Sequence, residues 1–285
     1  MIDKPVSPSC ERNREPILAV LREHFADRHH VLEIGSGSGQ HAVFFAAAMP
    51  WLTWQCSDRA DYLPGIRAWL DEAALPNTPA AVELDVAGAW PVLLLPLPLA
   101  GEGWGEGTRK PMADEGDGNR GLRGGPIGAR PHTPMVLPAG RPPFGHLAPR
   151  PAFARSAQAF IVARANGSQA LLFTPQAGEG NTRFDAAFSA NSLHIMGWPE
   201  VEAFFAGLGS ALADDATLVV YGPFNYGGAY SSDSNREFDQ WLRARDPRSA
   251  IRDFEAVDAL ARAIGLALVD DVAMPANNRC LVWRR

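Results

Sequence analysis

The chain has 285 residues, 46% hydrophobic and 20% charged, which is enough apolar material for one large core or two small ones. Its formal charge of −6 offers no broad positive field for a phosphate backbone, so a small-molecule partner is expected and a nucleic acid is not. With no run of about 18 apolar residues, no signal-peptide core in Met1 to Cys10 and no CxxC spacing among Cys10, Cys56 and Cys280, the expectation is a cytoplasmic protein with reduced thiols and no membrane span, disulfide framework or bound metal.

In chain order, Ile17, Leu18, Leu21 and Phe25 form the first apolar stripe. They predict a helix beginning near Pro16, because proline suits a first helical turn and not an interior. Short apolar runs then alternate with amphipathic segments, the pattern of parallel strands joined by crossover helices. Strands are predicted at Val31 to Ile34, Thr53 to Ser57, Ala81 to Leu84, Ala186 to Ser189, Thr217 to Tyr221, Leu266 to Val272 and Arg279 to Trp283. Helices are predicted at His41 to Ala48, Tyr62 to Ala74, Glu200 to Ala211, Asn235 to Arg243 and Phe254 to Ala263. With Met274 to Asn278 as a turn, the last two strands make a hairpin at one sheet edge. The expected fold is a doubly wound, mostly parallel seven-stranded α/β sheet with a C-terminal antiparallel hairpin.

Composition changes after Trp90. Residues 92–181 hold 15 of the 27 glycines and 12 of the 24 prolines, whereas the flanks have ordinary globular usage. Pro96 to Gly107 resembles a translated interspersed repeat, and residues 100–150 lack either periodicity. Residues 92–181 are therefore expected to be a largely disordered insertion in a single domain made of 1–91 and 182–285; loop-closure entropy grows slowly enough to tolerate it. Within the insertion, Phe160 to Val162 and Leu171 to Phe173 have the makings of a hairpin around Asn166-Gly167.

The informative segment is His30 to His41, a buried strand running into glycines and then a helix. Ligands of open α/β sheets bind where the carboxyl ends of such strands splay apart. Glycines allow the backbone to approach a ligand, and the next helix offers free N–H groups to an anionic group. Two registers compete. Gly37 to Ala42 satisfies the dinucleotide pattern G-x-G-x-x-A, which would make the protein an NAD-dependent oxidoreductase. Glu33, Gly35, Ser36, Gly37 and Gly39 satisfy acidic-x-G-x-G-x-G, the pattern of an S-adenosylmethionine (SAM) turn. The second is better anchored, because the first glycine directly after the strand is Gly35, and from there the last dinucleotide position is Gln40, not small. Glu33 would orient the loop or the methionine moiety. Asp58, 19 residues after Gly39, stands where a strand-tip carboxylate accepts ribose hydroxyls. Asp85 and Val86, after the third strand, would meet the adenine.

These residues, together with Ser7 to Asn13, Phe188 to Met196, Tyr221 to Tyr226 and Met274 to Asn278, resemble the class I methyltransferase-like family that contains the methyltransferase-like 26 proteins. The likeness covers about two-thirds of the chain and implies a Rossmann-like fold with SAM as cofactor and no known substrate. The departure from the family pattern is the insertion. On this reading the chain is a SAM-dependent methyltransferase, with His194 as base on the acceptor side and Asn191 beside the methyl group. Asn13 with Arg12 would fold over the cofactor, and Asn13 on the substrate side with Tyr221, Phe224, Asn225 and Tyr226 would shape a compact acceptor site. His29, His30 and His41 read as surface or cap residues without metal-like convergence. A non-catalytic SAM-fold protein acting through partners is the other alternative, and neither acceptor nor oligomeric state is legible.

Overall fold

The computed structural model describes residues 4–90 and 183–285; the insertion and its suggested hairpin lie outside them. Six helices, α1 (Pro8–His24), α2 (Gln40–Ala48), α3 (Leu63–Ala73), α4 (Trp198–Ala211), α5 (Asp233–Arg245) and α6 (Phe254–Ala263), accompany nine strands. The strands are β1 (His30–Ile34), β2 (Thr53–Asp58), β3 (Val82–Glu83), β4 (Phe184–Ala190), β5 (Leu212–Gly222), β6 (Phe224–Asn225), β7 (Arg252–Asp253), β8 (Ala267–Met274) and β9 (Asn278–Arg284). Seven of them form one sheet in the order β3-β2-β1-β4-β5-β9-β8. The first five run parallel and β9 is antiparallel to both β5 and β8, so the expected fold class is the observed one.

Side-chain alternation along the strands builds two cores. On one face Val31, Ala186, Phe188, Val219 and Val282 meet Ile17, Leu21 and Phe45. On the other, Leu32, Ile34, Ala187, Leu218, Leu281 and Trp283 meet Phe204, Phe205 and Val257. Central strands covered on both faces must be apolar at nearly every position, which is why they read as continuous runs. Each large side chain buried in this way contributes about 1.5–3 kcal/mol. Because both faces are filled, the strand ends are the place left for a ligand.

Two expectations are corrected. The first helix begins at Pro8 and carries Pro16 in its interior. Pro8 fills the first-turn position that suits proline, and the carbonyl left free by Pro16 belongs to the exposed Arg12, where water can satisfy it. The Tyr221 to Tyr226 segment, expected to shape an acceptor site, is packed instead, and within it β6 pairs in parallel with β7 to form a second small sheet. The C-terminal turn lies where expected, as a short 3₁₀ segment, Pro275–Asn277, in which Ala276 and Asn277 both have left-handed backbone. Among the described residues no helix is long and apolar enough to cross a membrane, and no cluster of metal ligands occurs. Cys10, Cys56 and Cys280 are free thiols; Cys56 and Cys280 are buried and Cys10 is half-buried.

Candidate ligand-binding site

β1 ends at Ile34, and the chain turns through Gly35, Gly37 and Gly39 with φ of +76°, +59° and +90° before α2 begins. Such angles cost a side chain about 1–2 kcal/mol. The turn is tied to the neighbouring strand, since Gly35 and Ser36 N–H both donate to the Ser57 carbonyl at 3.0 and 3.1 Å. The glycines differ in what surrounds them. A Cβ on Gly35 would lie 2.6 Å from Ser192 Oγ and one on Gly39 3.1 Å from Ile66 Cα, whereas one on Gly37 would meet nothing within 4 Å. Gly35 and Gly39 are glycines for packing, and Gly37 borders open space.

That space is a cavity of about 440 Å³, within the range of small-molecule sites. Its wall includes Gly35, Ser36, Gly37, Asp58, Asp85 and Val86 from the ends of the first three strands, and Ala190 to Ser192 after β4. Asp58 completes the turn: one carboxylate oxygen accepts the Gly37 N–H at 2.8 Å and the other the Arg59 N–H at 2.8 Å. Burial raises its pKa and these two N–H groups offset part of the rise. Each oxygen retains a lone pair for a further donor. Asp85 is exposed and accepts the N–H of Ala87 at 3.0 Å, so it shapes its own turn while facing the cavity.

Glu33 stands behind the turn, not in the cavity wall. Its carboxylate accepts from Trp54 Nε1 at 2.9 Å and Ser36 Oγ at 3.0 Å, and burial pushes its pKa up to about 7. Through Ser36 it braces the loop. Gly39 likewise packs against α3 and lines nothing.

Of the two catalytic candidates, Asn191 reaches the cavity, on a left-handed backbone (φ 57°), while His194 does not. His194 is buried against Phe238, ring centroids 5.4 Å apart, and burial holds its pKa down at about 4. The substrate candidates are also absent from the wall. Asn13 is buried in α1, where its Oδ1 accepts from His41 Nε2 at 2.8 Å; Tyr221 is buried beside it. Phe224 belongs to the core, the Asn225 amide reaches the Ile251 carbonyl, and the Tyr226 hydroxyl donates to Asp271 at 2.9 Å. Aromatic rings after a buried strand found a denser environment in the core than an open site offers, and polar tips found partners there.

Other residues of the wall went unrecognised in the sequence: Ser7, Ser9 and Cys10 ahead of the turn, Tyr62, Ile195, Met196, Glu200 and Arg248. Their signal is tertiary, since the Ser7 N–H reaches the Gln40 side chain and Arg248 Nη1 reaches Glu200 Oε1 at 2.9 Å. His41, read as a surface or cap residue, is buried in the wall with its ring stacked on Phe45 and its pKa lowered by burial to about 4. Of the other two, His29 is exposed beside Asp185 and His30 is half-buried in β1.

The fold and the glycine turn define a protein of the class I methyltransferase architecture. Solved structures show the same fold: an O-methyltransferase family protein from Burkholderia thailandensis is 11% identical, with a TM-score of 0.58 over 95% of this chain and 55% of that one. The S-adenosylmethionine-dependent methyltransferase SibL is 15% identical, TM-score 0.56 over 97% and 55%. A family 2 O-methyltransferase from Planctomyces limnophilus, solved with apigenin, is 11% identical, TM-score 0.56 over 97% and 57%. The chain thus spans about half the length of these proteins. Within that architecture the chain belongs to the DUF938 family of proteins of unknown function, matched over residues 4–98 and 168–285.

Proposed function

We propose that this protein is a SAM-dependent methyltransferase acting on a small-molecule acceptor, with residues 1–91 and 182–285 as its one SAM-binding domain, in the cytoplasm. The observation that carries the reading is the Gly37–Asp58 pair: a side-chain-free backbone and a strand-tip carboxylate with unused lone pairs border the same cavity. These features suit an adenosyl group, whose ribose diol matches the free acceptor positions of Asp58. Gly35 to Gly37 and Ser36 would lie along the ligand, with Asp85 and Val86 toward the base. Bound SAM supplies a sulfonium-activated methyl group, so alignment of the acceptor is the protein's main contribution.

Asn191 is the acceptor-side residue this cavity retains from the sequence reading. His194 lies elsewhere, and the cavity's own His41 is a weak base. Acceptors that arrive already nucleophilic fit this wall better than ones needing a strong protein base. The structural neighbours, O-methyltransferases among them and one solved with apigenin, support methyl transfer to a small molecule. Kinship with the methyltransferase-like 26 proteins rests on the sequence motifs alone and belongs to the same proposal.

The dinucleotide alternative fares less well because Gln40 is engaged, donating to Glu11 at 3.1 Å and accepting from Ser38 Oγ at 3.1 Å. Calorimetric titration of the full chain with SAM and S-adenosylhomocysteine tests the proposal. Binding is expected for the wild type, weakened at least about tenfold in Asp58→Asn, where the amide trades a charged acceptor for a donor. Wild type that binds neither ligand at millimolar concentration ends the reading, and displacement by NAD would revive the oxidoreductase.

A further inference from the structure

One buried side chain makes three bonds to two stretches of the cavity wall that are distant in sequence. Arg252, in β7, donates from Nε to the Leu193 carbonyl at 3.0 Å and from Nη2 to the Arg248 carbonyl at 2.9 Å, with another bond from Nη2 to the Met196 carbonyl. It is 9% exposed, and none of these bonds goes to a carboxylate. Nearby, Ser249 Oγ donates to the Ile195 carbonyl and Ala250 N–H to the His194 carbonyl, both at 3.0 Å. Ile195, Met196 and Arg248 face the cavity.

The loop after β4 is tied to the Arg248–Arg252 stretch by Arg252 together with Ser249 and Ala250. It opens with the left-handed Asn191, and within it the Ile195 and Met196 N–H groups both converge on the Ser192 carbonyl. Such a loop takes its shape from whatever satisfies its carbonyls. A guanidinium suits carbonyls that point in from different directions, because its donors are spread across a rigid planar fork. Remove it and three carbonyls, the buried one of Leu193 among them, lose their donors and must turn to water, which opens the loop.

We infer that Arg252 is a positioning residue that clasps the Leu193–Met196 loop to Arg248 and thereby fixes the ligand-facing wall, an assignment of ligand effect that rests on reading the cavity as the SAM site. The same chemistry recurs at Arg285, whose guanidinium donates to the Leu212, Gly209 and Ile264 carbonyls, none of which belongs to the cavity. Arg285 is thus a matched control for the loss of an arginine that binds carbonyls.

The test compares full-length Arg252→Met, Arg252→Lys and Arg285→Met. In ligand-free protein, amide hydrogen exchange at Ile195 and Met196 should rise about tenfold or more in Arg252→Met and stay at the wild-type rate in Arg285→Met. The dissociation constant for S-adenosylhomocysteine should rise about tenfold in Arg252→Met, less in Arg252→Lys, and not in Arg285→Met. Unchanged exchange at those two amides in the Arg252 variants overturns the inference, as does an equal loss of affinity in Arg285→Met. If Arg252→Met does not fold, Arg252→Lys carries both measurements. Wild type that binds no S-adenosylhomocysteine defeats the cofactor reading, while hydrogen exchange still decides the clasp.

Discussion

β1 and β5 are parallel strands at the centre of one sheet, yet the chain leaving β1 borders an open cavity and the chain leaving β5 closes into the core. After β1, three glycines with positive φ turn the chain and leave side-chain-free backbone at Gly35 and Gly37 along the cavity, with the Ser57 carbonyl and Asp58 accepting their N–H groups. At the end of β5 and just beyond it, Tyr221 and Phe224 are buried, Tyr226 packs half-buried against the core, and β6 finds a partner in β7. A strand end becomes a site when the residues after it cannot fill it. Aromatic residues at the equivalent place fill it themselves.

That contrast is open to attack, starting with its largest consequence. His41, in the cavity wall, and His194, in the closed region, each have a pKa lowered by burial from 6.5 to about 4. The unfolded chain then binds more protons than the native one, so each contributes stability at neutral pH that is lost as pH falls from 6.5 to 4, about 3 kcal/mol apiece. Denaturant unfolding of His194→Gln should show about half of this acid sensitivity removed. Its S-adenosylhomocysteine affinity at neutral pH should match wild type; a collapse of affinity would place His194 in the site after all.

Glu33 has the opposite sign. Its native pKa is raised from 4.5 to about 7, so its stabilising neutral form is complete below pH 4.5 and lost as pH rises to 7. Between those limits Glu33→Gln should gain about 3 kcal/mol relative to wild type, read as the difference between unfolding curves at pH 4.5 and pH 8. A constant difference would mean that the carboxyl is not buried behind the turn.

The glycines sharpen the comparison further. Gly39→Ala forces a side chain onto the Ile66 backbone at a positive φ and should lower unfolding free energy by about 2–3 kcal/mol. Gly37→Ala, with open space beside it, should cost only about 1 kcal/mol in stability and lose ligand affinity instead. Unfolding and calorimetry on both variants separate the two roles. The smallest effect belongs to Tyr226→Phe, which removes one hydrogen bond to Asp271; a loss of about 1 kcal/mol with unaltered ligand binding is expected.

The sheet and its helices were legible because burial on both faces writes itself into local apolar periodicity; the bounds predicted for α6, Phe254 to Ala263, are the observed ones. The glycine turn was legible for a related reason, since its backbone angles admit few residues. The inward turn of His194 and Tyr221 to Tyr226 was not legible, because a polar or aromatic residue after a strand looks the same whether it turns toward a ligand or inward. Only the packing of α5, β7 and the C-terminal hairpin decides between them. Ser7, Cys10 and Arg248 reach the wall through bonds that span tens of residues, which no short motif records.

One register has a bearing on how the molecule assembles. β1 lies directly against β4, Val31 opposite Ala186, so the two strands that frame the cavity must find each other across some 155 residues of chain. The free-energy penalty of so long a closure grows only logarithmically, but the search for it retards folding steeply. The cavity, whose wall draws on both sides of that closure, is expected to be among the last parts of the molecule to take shape.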